Sequence, residues 1–146
     1  MSLVVGSGCR LALDPGSERI GIAISDELGL VASPLKVVPT NQIAAEVADI
    51  LKEKNVIAIY LGLPRHLSGA EGSSAKAARE LGERLARDFK IPVSLVDERL
   101  TTKSAATNSK AVQQHGIDAM AATEILNLAL SGEKKLGRIF GEVVEI

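Results

Sequence analysis

An α/β fold built on one mixed sheet is the architecture this sequence predicts, and three features predict it. Short apolar runs bounded by turn residues crowd the first forty positions, the pattern of antiparallel strands. From position 41 the apolar spacing changes to the threes and fours of amphipathic helices. Thereafter strand-like and helix-like stretches alternate, as parallel strands joined by crossover helices require. The expected order is βββ-α-β-α-β-α: a mixed five-stranded sheet with its first three strands antiparallel, the later strands parallel to the first, and helices on both faces.

Each element has its own signal. Cys9 to Asp14 is an apolar run stopped by Pro15-Gly16-Ser17, a turn cluster. Ile20 to Ile24 follows, then Ser25-Asp26 and Gly29, and a third strand runs from Leu35 to Val38 and ends at Pro39. Asn41 is the expected cap of a first helix, whose apolar positions Ile43, Val47, Ile50 and Leu51 share one face. Val56 to Leu61 reads as a buried strand ending at Gly62-Leu63-Pro64, and Arg65 to Gly72 as a polar loop with two glycines. Ser73 or Ser74 is expected to open a second helix with Ala77, Leu81 and Leu85 along one face. That helix stops before Pro92, and Val93 to Val96 forms the last strand. Thr101 or Thr102 is expected to cap a short helix, and Asp118 to head a final one reaching about Ser131. The tail 132–146 is charged, then apolar, without a periodicity that assigns it.

Composition sets the limits. The chain has 146 residues, 46% hydrophobic and 24% charged, the balance of one folded domain over 1–146 with its core at about 9–131. No apolar run reaches the roughly 18 residues of a membrane span, and Met1 to Cys9 lacks the layout of a secretory signal. A cytoplasmic protein without membrane contact is expected. A lone cysteine, Cys9, excludes an internal disulfide and CxxC zinc spacing. Three aromatics, Tyr60, Phe89 and Phe140, are too few for a base-stacking platform. With 17 Lys and Arg against 18 Asp and Glu, bulk charge does not coat nucleic acid. Residues 65–110 nevertheless carry 9 basic and 6 acidic groups, which suggests a small basic footprint there.

The chemistry lies in where the acids fall. Asp14 ends the first strand, Glu98 lies just past the last one, and Asp118 starts the final helix. Open α/β sheets place their sites at the carboxyl ends of parallel strands, so all three belong to one edge. Singly, each also reads as a turn former or an ordinary helix-start acid; it is three on one edge that marks them. Carboxylates without nitrogen partners favour hard cations, Mg²⁺ or Mn²⁺.

Four segments then carry a resemblance. Leu13-Asp14-Pro15-Gly16-Ser17-Glu18-Arg19-Ile20-Gly21-Ile22-Ala23-Ile24-Ser25-Asp26, Leu61-Gly62-Leu63-Pro64 with Gly69-Ala70-Glu71-Gly72, Val96-Asp97-Glu98-Arg99-Leu100-Thr101-Thr102, and Ile117-Asp118-Ala119-Met120-Ala121-Ala122 occur in this order. Together they resemble the motifs of the YqgF/RuvX family over about residues 10–130. The resemblance implies an RNase H-like fold and a metal-dependent nuclease that processes the 5′ end of pre-16S rRNA, or one similar to Holliday-junction resolvases. It implies Asp14, Glu98 and Asp118 as catalytic metal ligands for two ions, with Asp14 bridging them. Pro15 stands where many members carry an aliphatic or aromatic residue.

Around these acids, Arg19, Arg65, Arg99, Thr101 and Thr102 are the candidates for contacting substrate. Arg99 equally suits an ion pair with Asp97, Arg19 a brace for the hairpin, and the threonines helix capping. His66 suits a solvated loop, and His115 is a candidate proton relay. Expected partners are structured RNA such as a pre-rRNA, or branched DNA, bound by a monomer or weak homodimer. Two other classes compete: a non-catalytic RNA-binding assembly factor, and an actin-like nucleotide-binding protein. The latter needs two Asp-x-Gly lobes where this chain has one.

Overall fold

A computed structural model of the chain describes residues 6–101 and 117–145. Six strands form one sheet: β1 (Cys9–Asp14), β2 (Arg19–Ser25), β3 (Ala32–Pro39), β4 (Val56–Leu63), β5 (Val93–Asp97) and β6 (Glu142–Val143). Helices α1 (Ile43–Glu53), α2 (Ser73–Phe89) and α3 (Ile117–Leu136) accompany them. The strand order is β3-β2-β1-β4-β5-β6. β1 therefore lies inside the sheet, antiparallel to β2 and parallel to β4, which in turn runs parallel to β5. The mixed α/β sheet expected from the sequence is present, with one strand more than the expected five. The sixth is in the tail, where Glu142 and Val143 pair antiparallel with Leu95 and Ser94. Two residues are too few to show an alternating pattern, so the sequence did not declare them.

The strand period of two divides the core cleanly. Leu11, Leu13, Ile20, Ile22, Ile59, Leu61, Val93 and Leu95 face one side and pack with Val47, Ile50, Ala78 and Leu85 of α1 and α2. The alternate positions Ala12, Ala23, Ala58, Tyr60 and Val96 face the other side and meet Ala122, Ile125, Leu126 and Ala129 of α3. The first face is built from branched side chains and the second largely from alanines, so α3 lies close on its strands.

The first helix starts differently from expectation, while the second starts at the expected Ser73. Pro39, with φ −58°, leads into a single 3₁₀ turn over Thr40–Gln42. Asn41 is inside that turn and caps nothing, because the chain is already helical when it reaches α1. Ser73 opens α2, and the N-cap before it is Gly72, without a side-chain bond. α2 ends as Lys90 adopts a left-handed conformation (φ 55°) and donates its backbone N–H to the Ala86 carbonyl, two residues before Pro92. α3 runs five residues beyond the expected Ser131, to Leu136. The helix expected after Thr101, together with Thr102 and His115, lies outside the described residues. No helix among the described residues is long and apolar enough to cross a membrane.

Candidate active site

The strand period assigns the acids to faces before any side-chain contact is considered. On β1, Asp14 follows Ala12 on the α3 face. On β5, Asp97 follows Leu95 on the opposite face, so Glu98, next in the chain, turns back toward α3. Adjacent acids thus part to opposite sides of one sheet.

Two glycines create the space on the α3 face. Gly21 is the register partner of Asp14, and a Cβ on it would stand 1.9 Å from the backbone carbonyl oxygen of Asp118. Only a bare strand position lets the first turn of α3 sit there. One step beyond the Leu13–Leu61 pair, β1 brings Asp14 level with Gly62. A Cβ at Gly62 would lie 2.9 Å from Glu98 Oε1 and 2.7 Å from Ile125 Cδ1. Asp14 is therefore flanked by two notches, one filled by the backbone of Asp118 and the other by the side chain of Glu98. Asp14, Glu98 and Asp118 are all half-buried, open to a ligand arriving from solvent at the sheet edge.

Hard oxygen donors gathered at a cradle of this kind suit a divalent cation such as Mg²⁺ or Mn²⁺. As the side chains stand, however, no three His, Cys, Asp or Glu groups among the described residues are close enough to hold one. Asp118 is otherwise engaged: Arg19 Nε donates to its Oδ2 at 2.7 Å. That hydrogen bond, reinforced by the carboxylate's charge, raises the Arg19 guanidinium above its ordinary value.

The opposite face of the same edge carries an ionic network. Arg99 donates to Asp97 through Nε (3.1 Å) and Nη2 (2.6 Å) and to the Leu67 carbonyl through Nη1. Arg65 pairs with Glu71 at 3.1 Å, Asp97 at 3.6 Å and Glu142 at 3.9 Å. Arg79 joins Glu71 at 2.7 Å to Glu142 at 2.6 Å. Arg79 holds the Glu71 carboxyl down to about 2 and lowers that of Glu142, and Arg99 does the same for Asp97. Three arginines face three carboxylates; Glu71 and Asp97 belong to the same 65–110 stretch, so only Glu142, from the tail, reduces its basic surplus. The loop 64–72 is correspondingly fixed: Gly69 (φ +92°) donates to the His66 carbonyl, and His66 to that of Ala70.

The substrate candidates divide accordingly. Arg65 and Arg99 belong to the network, Arg19 is paired with Asp118, and the Thr101 hydroxyl donates to the Glu98 carbonyl at 2.7 Å, securing the turn that presents Glu98. Of the two roles the sequence allowed Arg99, the ion pair with Asp97 is the one present. Gly62 read only as part of the stretch that ends the strand, whereas β4 continues through it to Leu63. A cavity of about 620 Å³ lies beside the β1–β2 turn, bounded by Gly16, Thr40, Ile43, Leu81 and Arg84; the three acids lie outside it, at the open edge.

Comparison with known proteins gives a consistent picture. A solved structure of Thermus thermophilus RuvC in complex with Holliday junction substrate superposes with a TM-score of 0.57 over 90% of this chain and 99% of that one, at 17% identity. This likeness shows the RNase H-like fold. A Streptomyces avermitilis protein named "Putative pre-16S rRNA nuclease" is 39% identical, covering 95% of this chain and 96% of its own. Proteins of the same name from Nocardioides sp. and Pediococcus pentosaceus are 40% and 36% identical, over 95% and 86% of this chain and 97% and 94% of theirs. The family model for RuvX, described as Holliday junction resolvase, matches residues 8–132, a span that includes all three acids, both notch glycines and the Arg19 pair. The chain belongs to the RuvX family.

Proposed function

We propose that this protein is a metal-dependent endonuclease that processes the 5′ end of pre-16S rRNA. The observation that carries this reading is the placement of Asp14 between two glycine notches filled by Asp118 and Glu98. The names of its relatives support the choice of substrate. When bound, a pair of Mg²⁺ or Mn²⁺ ions supplies an activated water and stabilises the leaving oxygen. Asp14, Glu98 and Asp118 would hold these ions, Asp14 from its central place on β1 between the other two. Thr101 holds the Glu98 turn, and the open edge admits a polymer that an enclosed pocket would exclude. Catalysis of this kind needs no protein nucleophile. An rRNA precursor as substrate places the enzyme in the cytoplasm.

The test is cleavage of a 5′-extended pre-16S rRNA and of a four-way DNA junction, each with Mn²⁺ or with EDTA. Manganese-dependent cutting of the rRNA is expected. Asp14→Asn is expected to lose more than the roughly 10–100-fold that removal of an outer-shell partner costs. Cleavage surviving Asp14→Asn would remove the site assignment. Cutting of the junction alone would favour a resolvase acting on branched DNA, the activity in the family's description. One observation favours a non-catalytic RNA-binding factor, the engagement of Asp118 by Arg19; tight RNA binding without any cleavage would establish that reading instead.

A further inference from the structure

From the geometry around Asp118 we infer that Arg19 is an internal counter-cation of the active site, which holds the Asp118 carboxylate until a divalent ion displaces it. Metal loading and release of Arg19 are then one event. The inference rests on the proposed metal site and deepens it.

The placement follows from the strand. Arg19 is two residues before Gly21 on β2 and shares its face. The Gly21 notch draws the backbone of Asp118 onto that face, and the Arg19 side chain covers the remaining distance to make its 2.7 Å contact. The pair is made to exchange. Arg19 is 64% exposed and Asp118 34%, and an ion pair this open is weak. Arg84 and Asp88 on α2 form another open pair, at 3.7 Å, whereas the arginines tied to the sheet and its loops are held differently. Arg10 and Glu133 are 5% and 7% exposed, and Arg65, Arg79 and Arg99 each have two or more partners.

A guanidinium and a divalent ion cannot share one carboxylate without facing each other as like charges. In this arrangement Asp118 is kept ordered and neutralised while the site lacks its ion. Binding of the ion frees a cation at the rim, on the side from which an anionic backbone approaches.

The experiment uses the full chain, ¹⁵N-labelled, without substrate. The Arg19 Nε–H resonance is identified by its loss in Arg19→Lys and followed through a Mg²⁺ titration, alongside calorimetry with Mn²⁺ on wild type and Arg19→Ala. The inference expects the Arg19 signal to move to the position of a solvent-exposed arginine as Mg²⁺ binds. It also expects Arg19→Ala to bind Mn²⁺ about tenfold more tightly, as removal of a nearby like charge implies. An Arg19 signal that stays in place while Mg²⁺ binds, with unchanged Mn²⁺ affinity in Arg19→Ala, would make Arg19 a brace for the hairpin and overturn the inference while leaving the metal site standing. Absence of binding in both proteins would remove the metal reading, and this inference with it.

Discussion

Gly21 has the tightest surroundings of the residues at the site edge. Its missing side chain is the space occupied by the Asp118 carbonyl, and the obstructing atom is backbone, so no rotamer change relieves an added methyl. Gly21→Ala is expected to push the start of α3 off β2 and destabilise the fold by about 3 kcal/mol, read as a lower denaturant midpoint, with nuclease activity lost. Gly62→Ala meets only side-chain atoms of Glu98 and Ile125, which can give way. It is expected to cost less stability while displacing Glu98, so that activity falls further than the midpoint does. At this scale much was legible beforehand. The three acids and Arg19 stand out by position, and strand alternation alone sends Asp97 and Glu98 to opposite faces. What alternation does not reveal is the partner of each charge. Arg65, Arg79 and Arg99 read as part of a basic footprint, yet they pair with Glu71 and Asp97 nearby and, for Arg65 and Arg79, with Glu142, far along the chain.

The loop 64–72 and β6 are elements held by charge more than by apolar burial. Arg65 and Arg79 connect them through Glu71 and Glu142, and Arg99 ties the loop to β5 through Asp97. All three carboxyls are lowered by their arginines, Glu71 to about 2. They bind protons less readily in the folded protein than in the unfolded chain, so their contribution is complete above the ordinary carboxylate range. It falls away as pH drops through the folded values. The backbone amide signal of Gly69, bonded to the His66 carbonyl, is expected to hold its folded position down to about pH 4 and to shift toward its random-coil value as pH approaches about 2. Asp97→Asn is expected to bring that shift to higher pH. The strands and the long helices were legible because their periods repeat over many residues. β6 and the cap positions were not, since a two-residue strand has no period and the chain reaches α1 already coiled by Pro39.

Across the whole molecule, one buried group joins distant parts. Arg10 on β1 donates to Glu133 near the end of α3 and to the Gly8 carbonyl, and Tyr60 on β4 donates to the same Glu133. Burial, helped by that bond, pushes the Tyr60 phenol well above its ordinary value. Glu133→Ala leaves the Arg10 charge buried without its counterion and is expected to cost about 3–5 kcal/mol. The double variant Arg10→Met, Glu133→Leu is expected to recover most of that, since a well-packed apolar pair replaces the ions. Urea titrations of the two proteins decide it.

The order in which these parts occur along the chain has a consequence for synthesis. The buried residues of the face covered by α1 and α2 all precede position 98, and domains fold from the N-terminal side as they emerge. The other face, the third carboxylate, the partner of Arg10 and the anchor of the 64–72 loop all arrive later, with Asp118, Glu133 and Glu142. A ribosome-bound nascent chain would therefore carry a half-covered sheet and an incomplete set of acids until α3 has emerged. The edge that carries the three acids is completed only after the opposite face of the sheet.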